Sequence, residues 1–172
     1  MLRRTTTHAF TLVEVILTIL IVSVGLVASM RALPILLQVS EASAQGMTAH
    51  RLAMDLLSEI ALLPYDDPDG NVKFGREYDE TSVTRADFDD IDDYDEWKAS
   101  PPQKKNGQPE PGCTGYTRSV LVRSVRIDNF NDFEGDDNTK PKRITVTVSR
   151  PGMTPVVITT VRLKDSNRED LD

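Results

Sequence analysis

The sequence predicts an α+β protein in which one long N-terminal helix packs on a small antiparallel β-sheet. Three observations lead to this prediction: an almost uncharged apolar run near the start, an apolar stripe with helical spacing after it, and three β-rich runs near the C-terminus. A helix on one face of an antiparallel sheet buries the apolar surfaces of both. The chain has 172 residues and a formal net charge of −7, which allows one domain with an appendage.

The apolar run covers residues 10–30 and contains a single ionisable side chain, that of Glu14. As a helix it is about 30 Å long, which matches the hydrocarbon core of a bilayer. Arg3 and Arg4 precede it without any acidic residue. Basic residues before a membrane helix predict a cytoplasmic N-terminus. We therefore expect a single-pass membrane helix over 10–33, with the rest of the chain outside the cytoplasmic membrane.

Residues 9–14 read Ala-Phe-Thr-Leu-Val-Glu and lie between a short basic segment and the apolar run. This arrangement resembles the class III signal of type IV prepilins and type II secretion pseudopilins. The resemblance implies that residues 1–9 are a leader, that a prepilin peptidase cuts between Ala9 and Phe10, and that it methylates the new amino group of Phe10. It also assigns Glu14 to filament assembly. The family more often has Gly where this chain has Ala9.

The resemblance implies a pilin-like fold and a structural function as a minor subunit of a type IV pilus or type II secretion pseudopilus. It covers only about 20 residues of the chain. The implied partners are the prepilin peptidase, other pilin or pseudopilin subunits, the inner-membrane assembly platform and membrane lipid. In an apolar filament core, Glu14 of one subunit would neutralise the amino group of its neighbour. A buried charge pair of this kind specifies register more than it adds stability.

An uncleaved single-pass anchor that displays an acidic binding domain is the alternative. This hypothesis explains the length and flanks of the apolar run but not Glu14, since a carboxylate costs about 2.5–3.5 kcal/mol at mid-membrane. Catalysis finds no support, because the sequence has no Gly-x-Ser-x-Gly motif and no phosphate-binding glycine loop. The single cysteine, Cys113, excludes an internal disulfide and is expected in a half-exposed loop.

Two residues are expected to weaken the helix, Gly25 by its low helix propensity and Pro34 by its missing hydrogen-bond donor. In the related filaments this is where the stem helix loosens on assembly. Residues 34–63 should continue as an amphipathic helix whose apolar stripe packs on the sheet. The stripe consists of Ala49, Leu52, Ala53, Leu56, Ile60 and Leu63.

The antiparallel sheet is predicted within residues 116–164. Its three β-rich runs are 116–127, 143–150 and 155–163. Apolar and polar residues alternate in the second run, as in a half-buried strand. Pro151-Gly152 predicts a tight hairpin between the second and third runs. The charged tail, 165–172, is expected to fray.

Residues 64–115 are predicted to be an irregular, acidic region. Between residues 66 and 96 there are 13 acidic residues and 3 basic ones, which does not favour a nucleic-acid partner, because phosphate contacts need Lys and Arg. Basic residues around the predicted sheet keep DNA uptake open as an alternative. They are Arg118, Arg123, Arg126, Lys140, Lys142 and Arg143.

The run 87–97 has apolar residues at every third position. These residues, Phe88, Ile91, Tyr94 and Trp97, are expected to pin the loop to the domain while the acids face solvent. The functional alternative is a calcium site, because carboxylate oxygens are preferred calcium ligands. The spacing does not match an EF-hand, and calcium stabilises the equivalent region only in some pseudopilins. The candidate ligands are Asp87, Asp89, Asp90, Asp92, Asp93 and Asp95.

Overall fold

The structure, a computed structural model, describes residues 11–70, 73–78, 80, 84–135, 137 and 139–164. Its elements are the helix α1 (Leu12–Ala61), a 3₁₀ turn (Asp92–Tyr94), and the strands β1 (Lys98–Ala99), β2 (Thr117–Ser124), β3 (Lys142–Ser149) and β4 (Val156–Arg162). The predicted α+β class, one long helix packed on a small antiparallel sheet, is confirmed. The predictions for Arg3, Arg4, Ala9, Phe10 and the tail 165–172 concern residues outside the described ones.

The sheet has the order β1-β2-β3-β4, and all neighbours are antiparallel. At its centre Val146 lies opposite Val120 on one side and Ile158 on the other. The short strand β1 lies in the region predicted to be irregular and extends the sheet beyond β2. The predicted hairpin joins β3 to β4, and Gly152 there has a φ of +80°, a conformation that glycine adopts without strain.

The core lies between the C-terminal part of α1 and one face of the sheet. Five residues of the predicted helix stripe are completely buried: Ala49, Leu52, Ala53, Leu56 and Ile60. They pack with the inward-facing residues of β2 and β3, which are Val120, Val122, Ile144, Val146 and Val148. The helix ends at Ala61, two residues before its predicted end, and Leu63 packs half-buried against the core.

The chain divides into two units, residues Met1–Ser43 and Ala44–Asp172. The described part of the first unit is helical from Leu12 onward. The second unit contains the core, the sheet and the acidic region.

Candidate functional site

Residues 12–39, which we call the stem, have an apolar surface. The large apolar side chains that the structure describes there have exposed fractions from 46% at Val15 to 78% at Leu12. The most apolar 18-residue window of α1 has a mean hydropathy of 2.5, and none of that window is buried. By length and composition the helix can cross a membrane. An apolar surface of this size requires lipid or protein to cover it.

The hydroxyl groups of the stem are hydrogen-bonded within the helix. Thr18, Ser23 and Ser29 each donate to the carbonyl oxygen four residues earlier, at 2.6, 2.6 and 2.9 Å. They are the only hydroxyl side chains between residues 12 and 30. Since each one has a partner in its own helix, none of the three needs water, and this segment is compatible with an apolar surrounding.

Glu14 lies in the first turn of α1 and is exposed. Its backbone N–H donates to Thr11 Oγ1 at 3.2 Å, so Thr11 caps the helix. Thr-x-x-Glu is the sequence of a capping box, and a carboxylate is favourable at a helix N-terminus. The sequence interpretation missed this local role. Glu14 therefore has a structural reason to be at this position in addition to its predicted role in assembly, which stays a prediction.

The helix continues through both residues that were predicted to weaken it. Pro34 lies inside α1, and a side chain added at Gly25 would meet no atom within 4 Å. Neither position is constrained by packing against other described residues. The predicted flexibility between Gly25 and Pro34 stays a prediction.

The apolar residues of the acidic run anchor it to the core, as predicted. Phe88, Ile91 and Tyr94 are buried, and Trp97 packs half-buried against the core. The rings of Phe88 and Tyr94 meet edge to face, with 4.9 Å between their centroids. Aromatic pairs with this geometry add about 0.5–1.5 kcal/mol beyond the area they bury.

The prediction that the acids of this run face solvent is wrong for three of them. Asp90, Asp92 and Asp93 are each only 1% exposed. Burial of a carboxylate requires hydrogen bonds or a counter-charge, and these residues have them. Asp90 Oδ1 accepts hydrogen bonds from the backbone N–H groups of Asp92 and Asp93 at 2.8 and 3.2 Å. Asp92 forms an ion pair with the buried ammonium of Lys142.

The six predicted calcium ligands do not converge on one point. Asp92 forms an ion pair with Lys142, and Asp95 forms one with Arg123 at 2.6 Å. Asp90 accepts a hydrogen bond from the backbone of the 3₁₀ turn, and Asp87 is exposed. The remaining two belong to separate acidic groups, Asp89 with Asp67 and Asp69, and Asp93 with Glu77 and Glu80.

We call Glu77, Glu80 and Asp93 the acidic cluster. One carboxylate oxygen of each lies within 4.8 Å of those of the other two. Glu80 is 7% exposed, Asp93 is 1% exposed and Glu77 is half-buried. The spacing of the three oxygens is one at which they can bind a single cation, so acidic residues of this chain could hold a metal ion.

Burial and mutual repulsion raise the pKa values of the acidic cluster. Burial, and then the adjacent carboxyl of Glu80, raise the pKa of Asp93 to about 7. Burial also raises the pKa of Glu80 and of Glu77. A hydrogen bond to a neighbouring carboxyl, Asp93 for Glu80 and Glu80 for Glu77, partly lowers each pKa, and the charges of other carboxylates raise it again. The charged neighbours with the largest effects on the three groups are other carboxylates. The guanidinium of Arg76 lies close by and donates to the backbone carbonyl of Glu80 at 3.0 Å, yet the pKa values of all three carboxyls are raised.

Sequence reasoning did not single out Glu77 and Glu80. The only available signal was the general acidity of residues 66–96, because the two glutamates lie in irregular backbone whose path places them beside Asp93. The expectation for Cys113 was also wrong. It is 1% exposed, because it packs as a small apolar residue in the core.

The basic residues near the sheet do not form one exposed surface. Arg118 and Lys142 are buried, with 2% and 0% exposure, and Arg123 is paired with Asp95. Arg118 donates to the carbonyl of Leu52 at 3.3 Å. Buried bases cannot contact phosphates, but the side chains of Arg126 and Lys140 are 47% and 39% exposed, and the alternative of DNA uptake stays untested.

Comparisons of the chain with protein-family models, curated proteins and solved structures found no match.

Proposed function

We propose that this chain is a membrane-stored filament subunit, similar to minor type IV prepilins or type II secretion pseudopilins. Its function is structural and not catalytic. The observation that carries the proposal is the stem, an apolar helix whose described apolar side chains are exposed and whose sequence has its only carboxylate at the start. Lipid covers this surface during storage, and stems of other subunits cover it after assembly.

The positions of the charged groups near the N-terminus favour this function over that of an uncleaved anchor. Removal of residues 1–9 would remove Arg3 and Arg4 and create an amino group at Phe10, four residues before Glu14. In a filament, the carboxylate of Glu14 pairs with the amino group of an adjacent subunit. An uncleaved anchor has no such amino group for Glu14 to bind.

The N-terminal residue of the protein isolated from its native cells distinguishes the two hypotheses. Mass spectrometry should find a chain that begins at Phe10 and carries one additional methyl group. The matched variant has a bulky side chain before the cut, Ala9→Leu, and should retain residues 1–9. An intact Met1 terminus on the wild-type chain would overturn the proposal in favour of the uncleaved anchor.

Assembly is tested separately from cleavage. Glu14→Gln removes the charge, so it should leave membrane insertion intact and abolish recovery of the subunit in sheared filaments or cross-linked oligomers. Glu41→Gln is the matched control, since Glu41 is an exposed carboxylate on the same helix beyond the stem. Equal assembly of both variants would show that Glu14 acts only in capping the helix.

A further inference from the structure

Two buried carboxylate oxygens of the acidic cluster accept no hydrogen bond from any residue that the structure describes. They are Glu80 Oε1 and Asp93 Oδ1. Buried polar atoms nearly always have a partner, because an unsatisfied one costs about 1–3 kcal/mol, and more when it is charged. These two atoms therefore indicate a missing partner that is positive or carries a proton.

The second oxygen of each side chain is already held by the backbone. Asp93 Oδ2 accepts from the N–H groups of Asp89 and Asp90, both at 2.9 Å, and Glu80 Oε2 accepts from the N–H of Glu77 at 3.1 Å. These bonds fix the orientation of both carboxylates before any ligand arrives. Each side chain thus has one oxygen held by a backbone N–H group and a second to which no described residue donates.

We infer that Glu77, Glu80 and Asp93 bind one hard divalent cation, with Ca²⁺ as the best fit. Hard cations prefer carboxylate and carbonyl oxygens, and calcium accepts irregular geometry with ligands from loops and water. Zinc prefers His and Cys, and neither residue type is present in the group. The cation would contact Glu80 Oε1 and Asp93 Oδ1, to which no described residue donates a hydrogen bond. This inference does not depend on the proposed filament function.

The competing occupant is a proton shared between Glu80 and Asp93. It would satisfy the same two oxygens without any metal. The two occupants predict different effects of added calcium. Calcium raises the stability of the protein if the cluster binds a cation and leaves it unchanged if the cluster shares a proton.

The experiment uses the full-length chain in detergent at pH 7.5, first stripped with a chelator. Calcium is then added, and unfolding is followed by heat. We expect a rise in Tm that saturates with an apparent Kd on the order of 0.1–1 mM, as in weak oxygen-ligand sites. Terbium, which replaces calcium, should luminesce on excitation of Tyr94 or Trp97.

Glu80→Gln and Glu77→Gln should each weaken calcium binding at least tenfold and remove most of the rise in Tm. In chelator, Glu80→Gln should be as stable as wild type, because it removes a repulsive charge. Asp69→Asn, in the other acidic group, is the matched control and should keep the full response. The half-buried Glu77 keeps the test valid if the Glu80 variant folds poorly.

Absence of any rise at millimolar calcium would leave the shared proton as the occupant and overturn the inference. An equal rise in wild type and both glutamate variants, or a rise lost only in Asp69→Asn, would place the cation elsewhere and overturn it as well.

Discussion

Glu59 and Arg85 form a bidentate ion pair that links the helix α1 to the acidic region. Arg85 Nε and Nη2 donate to Glu59 Oε1 and Oε2 at 2.9 and 3.1 Å, and the hydroxyl of Tyr94 donates to Oε1 at 2.7 Å. Arg85 also lies over the ring of Trp97, 4.3 Å from its centroid. Burial favours a higher pKa for Glu59, but the hydrogen bonds from Arg85 and Tyr94 bring its pKa below the usual range.

Arg85→Ala should destabilise the protein by about 3 kcal/mol, because it leaves the carboxylate of Glu59 without its partner. The side chain of Arg85 is 1% exposed and that of Glu59 is 25% exposed. Denaturant unfolding of the full-length chain measures the loss. The matched control is Arg51→Ala, which breaks a pair with Asp55 on the same helix whose side chains are about half exposed. It should cost under about 1 kcal/mol. Equal losses in the two variants would contradict this prediction.

Lys142→Met should destabilise the protein by about 3–5 kcal/mol, because it leaves the buried carboxylate of Asp92 unpaired. The ammonium of Lys142 also donates to the carbonyl of Tyr65 at 2.7 Å. Lys140→Met serves as the control, since Lys140 and Glu134 are 39% and 38% exposed and 3.8 Å apart. Asp92→Asn should recover part of the loss in the Lys142→Met background. Stability equal to that of Lys140→Met would mean that the buried pair contributes nothing.

Gly107→Ala should cost more stability than Gly70→Ala, although both glycines have a φ of +80°. The backbone strain alone costs about 1–2 kcal/mol in each variant. A Cβ at Gly107 would also lie 2.5 Å from Thr84 Cγ2, whereas one at Gly70 meets no atom within 4 Å. Thr84→Ser removes that methyl group, so it should bring Gly107→Ala close to Gly70→Ala in Tm. No recovery in the double variant would rule out the steric clash as the cause.

Stability in chelator should fall as the pH rises from about 4 to just above 7. Asp93 titrates near pH 7 in the folded protein, against 3.8 in the unfolded chain, so the folded state holds the proton more tightly. A raised folded pKa gives stability that is lost as the pH rises through that value. Asp93→Asn should flatten the curve of Tm against pH, and Asp69→Asn should not. Parallel curves for wild type and Asp93→Asn would refute a raised pKa at this residue.

Several features could be predicted because they depend on neighbouring residues in the chain. Helical spacing predicted the buried stripe from Ala49 to Ile60, alternation predicted β3, and Pro151-Gly152 predicted the hairpin. The period of an α-helix or a strand decides which side chains share a face, so these features need no tertiary information. The two-residue strand β1 carries no such pattern, because it forms only by pairing with β2.

The sequence by itself determined the apolar stem, the position of Glu14 at its start and the helix-on-sheet class, because hydropathy and period are local properties. Only the tertiary structure decided which acids are buried and what they contact. Asp92 and Lys142 are 50 residues apart in the chain. Glu77 and Glu80 lie beside Asp93 although 16 and 13 residues separate them from it in the chain. From the sequence, the acids of the run 87–97 were predicted to form one solvent-facing surface. In the structure Asp92 is in an ion pair, Asp90 caps the 3₁₀ turn and Asp93 belongs to the acidic cluster. The roles differ because a buried carboxylate depends on the few polar groups in contact with it.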